Sequence, residues 1–328
     1  MKKSLSLILL LFSLNLTAQK TNPEAIKFYE SGFSKGSSGD SKGAISDFNK
    51  AIELDPDYAE AYLSRGANYL QMANFKAAIV DLTKSIELKP DLPSYFLRGL
   101  SEESLGNHEL AISNFSKAMD FKSEEISEET LYLQRASSRY TFNDFDGAIA
   151  DFSKVIELNP KNETALYFRG LSKYNLYDDR GAIIDFSSVI KVSPENALYY
   201  NRRGIARHNI FDNLGAIDDQ NKAIEIDPNN FNSVYSRGRA KHDLGDLEGA
   251  MGDFDIAIKN NEKEAYNSRG LLKRDLKDYD GAIDDFYNAI DFDSLDPLYH
   301  HNLGNVLLKT KEFEKAQNQF TIAEKLDP

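Results

Sequence analysis

RGLLKRDLKDYDGAIDDF, residues 269–286, holds the pattern that decides the fold. Its opening Arg-Gly recurs at Arg65-Gly66, Arg98-Gly99, Arg169-Gly170, Arg203-Gly204 and Arg237-Gly238, with Arg135-Ala136 filling one gap and Gly32 and Gly304 extending the series. The steps between these small residues are 34, 33, 37, 34, 34, 34, 32 and 34 residues. A self-similar period near 34 is the signature of a helical-hairpin solenoid. Such an array grows along one dimension and needs no single large core, which overrides the two-domain expectation from length.

With the glycine set at position 8, nine repeats follow: 25–58, 59–91, 92–128, 129–162, 163–196, 197–230, 231–262, 263–296 and 297–328. Alanine holds position 20 throughout, from Ala44 to Ala316. Phenylalanine holds position 24 at Phe48, Phe115, Phe152, Phe186, Phe254, Phe286 and Phe320. An aromatic sits at or beside position 4, and proline closes six repeats at position 32. The small residues let two helices approach closely. Apolar residues at 20, 21, 24, 27 and 28 form one stripe on the second helix of each pair, helix B. Asp or Asn at position 16 N-caps that helix, from Asp40 to Asp278. The terminal proline stops it.

Small residues at 8 and 20, a large aromatic near 4 and at 24, and proline at 32 make residues 25–328 resemble the tetratricopeptide repeat (TPR) family. The resemblance implies an all-α, right-handed α-solenoid superhelix of about nine helix-turn-helix repeats, with a concave groove that binds peptide. Some members carry a carboxylate clamp of Lys, Asn and Arg across three repeats. Here Arg202 and Asn305 are isolated matches, so that specificity is not carried over.

The N-terminus bears on compartment. Lys2-Lys3 precedes an apolar run, Ser4 to Leu16, and Ala18 offers a cleavage site. Residues 1–18 read as a signal peptide, followed by a short lead over 19–24. At 13 residues the apolar run is shorter than the ~20 a spanning helix needs. The mature chain is expected in an exported compartment, the bacterial periplasm or outside the cell, with no membrane insertion. Removing residues 1–18 takes two Lys and no acid, so the formal charge moves from −13 to −15. That balance argues against nucleic acid and anionic membranes as partners. There is no Cys, which excludes disulfides and thiolate sites.

Two repeats depart from the pattern. The third is longer, and its acidic extension over 122–130 reads as a solvated turn or a flexible joint. The ninth has Gln317 and Gln319 where others have Ile or Met and usually Asp, and reads as a solubilising cap; a monomer is expected. The Arg at position 7 and the Asp at position 23 recur together. Because repeat 1 lacks the Arg, each Arg is expected to pair with the Asp of the repeat before it, as Asp47 with Arg65 and Asp151 with Arg169. A second basic row stands at position 11: Arg139, Lys173, Arg207, Lys241 and Lys273.

A binding site should break this lattice. By the family's groove positions, the candidates are Asn201, His208, Asn232, Tyr235, Arg239, His242, Asn267, Arg274, His301 and Asn305. The segments 197–211, 231–244 and 263–277 carry 11 Lys or Arg against 3 Asp or Glu. That surface suits an extended acidic peptide or a free C-terminal carboxylate. In the N-terminal repeats the same positions hold a more apolar set: Tyr29, Phe33, Leu63, Ala67, Leu70, Phe96 and Leu100. No phosphate loop, HExxH motif or nucleophile elbow is present, and the adjacent pair His300-His301 points two ways on a helix. The expected function is a non-catalytic protein-interaction scaffold without cofactor or metal. The alternatives are an accessory subunit of a cell-envelope enzyme and a self-assembling structural module.

Overall fold

The computed structural model describes residues 22–123 and 125–327. Among them are 18 helices, paired as helix A and helix B of nine repeats. They are α1 (Pro23–Ser37), α2 (Ser41–Leu54), α3 (Ala59–Gln71), α4 (Phe75–Leu88), α5 (Leu92–Ser104), α6 (His108–Ala118), α7 (Glu128–Thr141), α8 (Phe145–Leu158) and α9 (Glu163–Asn175). Then follow α10 (Asp179–Val192), α11 (Ala197–Asn209), α12 (Asn213–Ile226), α13 (Phe231–Asp243), α14 (Leu247–Lys259), α15 (Ala265–Asp275), α16 (Tyr279–Phe292), α17 (Pro297–Lys309) and α18 (Phe313–Leu326). The described residues form two compact units, divided within α9 between Ser172 and Lys173. The signal segment and its cleavage site lie outside the described residues. The expected lead is already helical from Pro23, because Asn22 N-caps α1 with its Oδ1 accepting from the Glu24 N–H.

Each hairpin turns by one device. The residue at position 15 is left-handed in every repeat, with φ between 58° and 91°. The N–H of the next residue returns to the carbonyl of position 11, as Asp144 to Arg139 and Asp246 to Lys241, both at 2.9 Å. That 6→1 bond ends helix A in a Schellman motif. The same residue then caps helix B: Asp40, Asp144, Asp178, Asp212, Asp246 and Asp278 each accept from the N–H of a glycine three residues on, at 2.9–3.0 Å. A Cβ on those glycines would press the cap carboxylate at 2.0–2.3 Å. Where position 19 is Ala77, the Asn74 cap bond lengthens to 3.4 Å. Where it is Leu110, Asn107 makes no cap bond and its amide turns to Glu102 instead, correcting the expected cap there.

The two helices of a pair touch where the residues are small. A Cβ on Gly99, Gly238 or Gly270 would come within 2.7–2.9 Å of the ring of Phe115, Phe254 or Phe286, sixteen residues on. Those rings and the position-20 alanines are fully buried. The core therefore comes as separate clusters, such as those around Phe152, Phe254 and Phe286, each reaching into a neighbouring repeat. In repeat 6 the ring is replaced by Gln220, also fully buried.

The charge lattice is wired differently from the expectation. Arg65 grips Asp81, not Asp47, through Nε and Nη2, both at 2.7 Å. Arg135–Asp151, Arg203–Asp219, Arg237–Asp253 and Arg269–Asp285 repeat this grip at 2.6–2.9 Å. Positions 7 and 23 lie symmetrically about the turn at 15, so they oppose each other within one hairpin. Asp47 is served inside repeat 1 by Ser31, which stands at position 7 where Arg is missing, and by Lys35 at position 11. The link to the preceding repeat comes from Nη1, which reaches position 25: Arg65 to Asn49, Arg135 to Ser116, Arg203 to Ser187 and Arg269 to Asp255. The position-11 cations approach the same buried carboxylates from the other side, as Arg139 on Asp151, Lys173 on Asp185 and Arg207 on Asp219.

The extension after α6 is an anchored turn. Ser123 Oγ accepts from the N–H groups of Glu125 and Ile126, and Ile126 is buried beside Leu92 and Leu131. In the ninth repeat the lattice is gone. Leu303 and Leu307, both buried, occupy the cation positions, and Gln319 bonds His300 Nδ1 at 2.7 Å. Gln317 is exposed.

Candidate functional site

Neighbouring A helices of the second unit are joined side chain to side chain. His208 Nε2 meets Asp243 Oδ2 at 2.9 Å, and His242 Nε2 meets Asp275 Oδ2 at 3.1 Å. Tyr235 Oη lies 3.1 Å from Ser268 Oγ. These rungs run across α11, α13 and α15 and define one continuous face.

The predicted residues fall into three groups on it. Asn201 and Asn267 are buried, 3% and 8% exposed, and serve the packing. Asn201 Nδ2 donates to Gln220 Oε1, Asn232 Oδ1 and Ser233 Oγ, and Gln220 returns a bond to the Asn201 carbonyl. Asn302 donates to Asn267 Oδ1 at 2.8 Å. A buried polar group must be bonded, and the helix-facing positions 5 and 24 supply that here. His208, His242 and Arg274 are half-buried and engaged, Arg274 with the adjacent Asp275. Asn232, Arg239 and His301 are exposed, and Tyr235 and Asn305 are half-buried.

Repeat 7 keeps the Arg237–Asp253 grip but departs from the lattice in its tyrosine. In five repeats the lattice Arg lies over the tyrosine three residues before it, as Arg65 over Tyr62 and Arg203 over Tyr200, at 5.5–5.7 Å. In repeat 7 the tyrosine has moved one place, to Tyr235, and the guanidinium over its ring is that of Arg239, at 5.9 Å. Among the described residues Arg239 has no carboxylate partner. Burial, reinforced by the Arg239 charge, pulls the His208 pKa below its ordinary value, against the opposing pull of Asp243. His208 is therefore a neutral donor at pH 7. Arg202 holds a buried Nε with no hydrogen-bond partner among the described residues.

The sequence missed Gln220, although its place in a column of phenylalanines was a readable signal. The apolar residues expected to line an N-terminal groove are mostly core: Tyr29, Leu63, Ala67, Leu70 and Phe96 are buried. His300 turns inward and His301 outward. Among the described residues no cluster of three or more His, Asp or Glu has the arrangement of a metal site, and no helix is long and apolar enough to cross a membrane.

Models of the TPR repeat match residues 37–72, and models of the tetratricopeptide repeat match 59–92, 92–125, 133–176 and 235–297. None of the curated proteins matches the chain. Among solved structures, the chain is similar to the APC/C hetero-tetramer Cut9–Hcn1, with a TM-score of 0.57 and 16% identity over 96% of this chain and 76% of that one. It is also similar to the C-terminal part of a TPR repeat-containing protein from Cytophaga hutchinsonii (TM-score 0.54, 18% identity, 84% and 99% covered). A third similar structure is YrrB, described as a TPR protein with an unusual peptide-binding site (TM-score 0.53, 19% identity, 58% and 97% covered). At these identities the likeness establishes the fold. With the repeat matches and the nine hairpins, it makes this chain a tetratricopeptide repeat protein, built from modules that typically mediate protein–protein interaction.

Proposed function

We propose that the protein is a non-catalytic scaffold of an exported compartment, and that the A-helix face of repeats 6 to 9 takes an extended acidic peptide segment. The observation that carries this is the Tyr235–Arg239 pair. Every Arg that meets a lattice Asp is committed to the packing, whereas Arg239 is exposed and, among the described residues, without a carboxylate. A ligand carboxylate would complete it through a bidentate, charge-assisted bond. Asn232 and Asn305 add donors around it, while the single N–H of the neutral His208 is already given to Asp243, and no carboxylate of the lattice competes.

The test is fluorescence anisotropy with a labelled peptide of alternating Asp and Gly, in free-acid and C-terminally amidated forms. Arg239→Glu is expected to weaken binding at least tenfold, since a like charge replaces the pairing one. Equal binding by the variant would remove the site from this face. A difference between the two peptide forms would assign part of the recognition to the terminal carboxylate. Export is tested separately: the mass of the mature protein should correspond to a chain beginning at Gln19.

A further inference from the structure

The hairpin turns of repeats 5 to 8 present a feature that the A-helix face does not explain. Tyr177 and Phe211 are 92% and 85% exposed, and both are left-handed, at φ 60° and 64°. Elsewhere the same turn position holds Gly39, Gly106, Asn143 and Gly245, which adopt this conformation readily, or Ala73, Lys277 and Lys311, none of which carries a ring. A bulky aromatic there contributes nothing to the fold, strains the backbone and exposes a ring. Strain and exposed apolar surface that coincide mark functional sites.

These turns are fastened to one another. Asn209 Nδ2 donates to Asp179 Oδ1 at 3.0 Å, tying the turn of Phe211 to that of Tyr177. The His208–Asp243 and His242–Asp275 rungs continue the series through repeats 7 and 8. Along this edge Leu214 is 70% exposed, and Leu176, Ile210, Leu244 and Leu276 are also exposed. The result is an apolar strip on a rigid support. Its flanks are acidic: the turn segments 174–181, 208–215, 242–249 and 274–281 contain Asp178, Asp179, Asp212, Asp243, Asp246, Glu248, Asp275, Asp278 and Asp280 against Arg180, Arg274 and Lys277.

We infer that this edge is a second docking surface, distinct from the A-helix face, and that its partner is a basic protein segment carrying apolar side chains. Apolar residues of such a segment would cover Tyr177, Phe211 and Leu214. Its Lys or Arg would meet the flanking carboxylates and lie over the two rings. Polyanions are repelled by the same carboxylates.

The experiment uses the full chain and a labelled 18-residue peptide of Leu and Lys at amphipathic-helix spacing, beside the same peptide with every Lys changed to Glu. The Leu/Lys peptide is expected to bind, and the Leu/Glu peptide at least tenfold more weakly. Tyr177→Asn with Phe211→Asn should weaken the Leu/Lys peptide at least tenfold while leaving the thermal midpoint equal or higher, because Asn accepts the left-handed φ. Arg239→Glu should leave this binding intact, which separates it from the acidic-peptide reading. Binding by the double variant within threefold of the parent would overturn the inference, as would equal binding of the Leu/Glu peptide or loss through Arg239→Glu. A concentration-dependent dimer abolished by the double variant would replace the basic segment with a second copy. Adsorption to zwitterionic vesicles abolished in the same way would replace it with a lipid surface.

Discussion

At the level of single residues, the buried aspartate at position 23 carries most of the electrostatic consequence. Asp219 is 3% exposed and held by Arg203 and Arg207 together. Burial disfavours each charge, but removing one partner strands the others. Asp219→Ala is therefore expected to lower the unfolding free energy of the second unit by about 3 kcal/mol, read from urea denaturation. The third repeat shows the opposite case. Arg98 finds Asn114 where others find Asp, at 2.8 Å. Burial then lowers the Arg98 pKa, whereas in Arg65 the same burial is outweighed by the bond to Asp81 and the pKa rises. Asn114→Asp should complete the grip and raise stability by about 1 kcal/mol, seen in the same measurement. The sequence showed both rows, Arg and Asp, but not their pairing. The missing Arg of repeat 1 pointed to the wrong partner, because Ser31 and Lys35 do its work. The common spacing of sixteen residues, shared by Gly270–Phe286 and Arg269–Asp285, was the readable clue.

At the level of the hairpin, the chain's own turn chemistry accounts for nearly everything. Period, helix pairs, close approach at the small residues of positions 8 and 20, and most B-helix caps were legible, because each follows from a residue type at a fixed offset. The cap is worth testing at a typical position. Asp246→Ala removes the bond to the Gly249 N–H at 3.0 Å and should cost about 1 kcal/mol, measured as a lower urea midpoint at unchanged slope. A loss below a few tenths would mean that solvent replaces the cap. The binding face was less legible. Groove positions of a repeat family cannot reveal that Asn201 and Asn267 are drawn inward, because that depends on Gln220 standing in a phenylalanine column and on Asn302 reaching back. The left-handed turn at Tyr177 and Phe211 escaped notice because aromatic residues do not announce it.

For the molecule as a whole, protonation should act in two separate windows. His208 has its pKa lowered by burial and by Arg239, so the unfolded chain takes up that proton more readily. Its contribution is present above the ordinary histidine range and is lost as pH falls through the lowered value. Asp47 is also lowered: burial opposes this, but the bonds from Lys35 and Ser31 prevail. Its contribution holds until acid reaches the carboxylate range. Thermal midpoints are expected to decline gently below about pH 6.5 and steeply below about pH 4, and His208→Asn should abolish the first decline alone. A gentle decline that persists in that variant would assign it to other groups. The Nη1 bond to position 25 has a different kind of consequence. Its acceptors are small and interchangeable: Asn49, Thr83, Ser116, Ser153, Ser187, Asn221 and Asp255 all serve. Excising or duplicating one whole period therefore hands each arginine an equivalent neighbour. Copy number can drift over generations without rewiring, so this lineage can gain or lose a period by simple recombination while each of these seven seams stays closed.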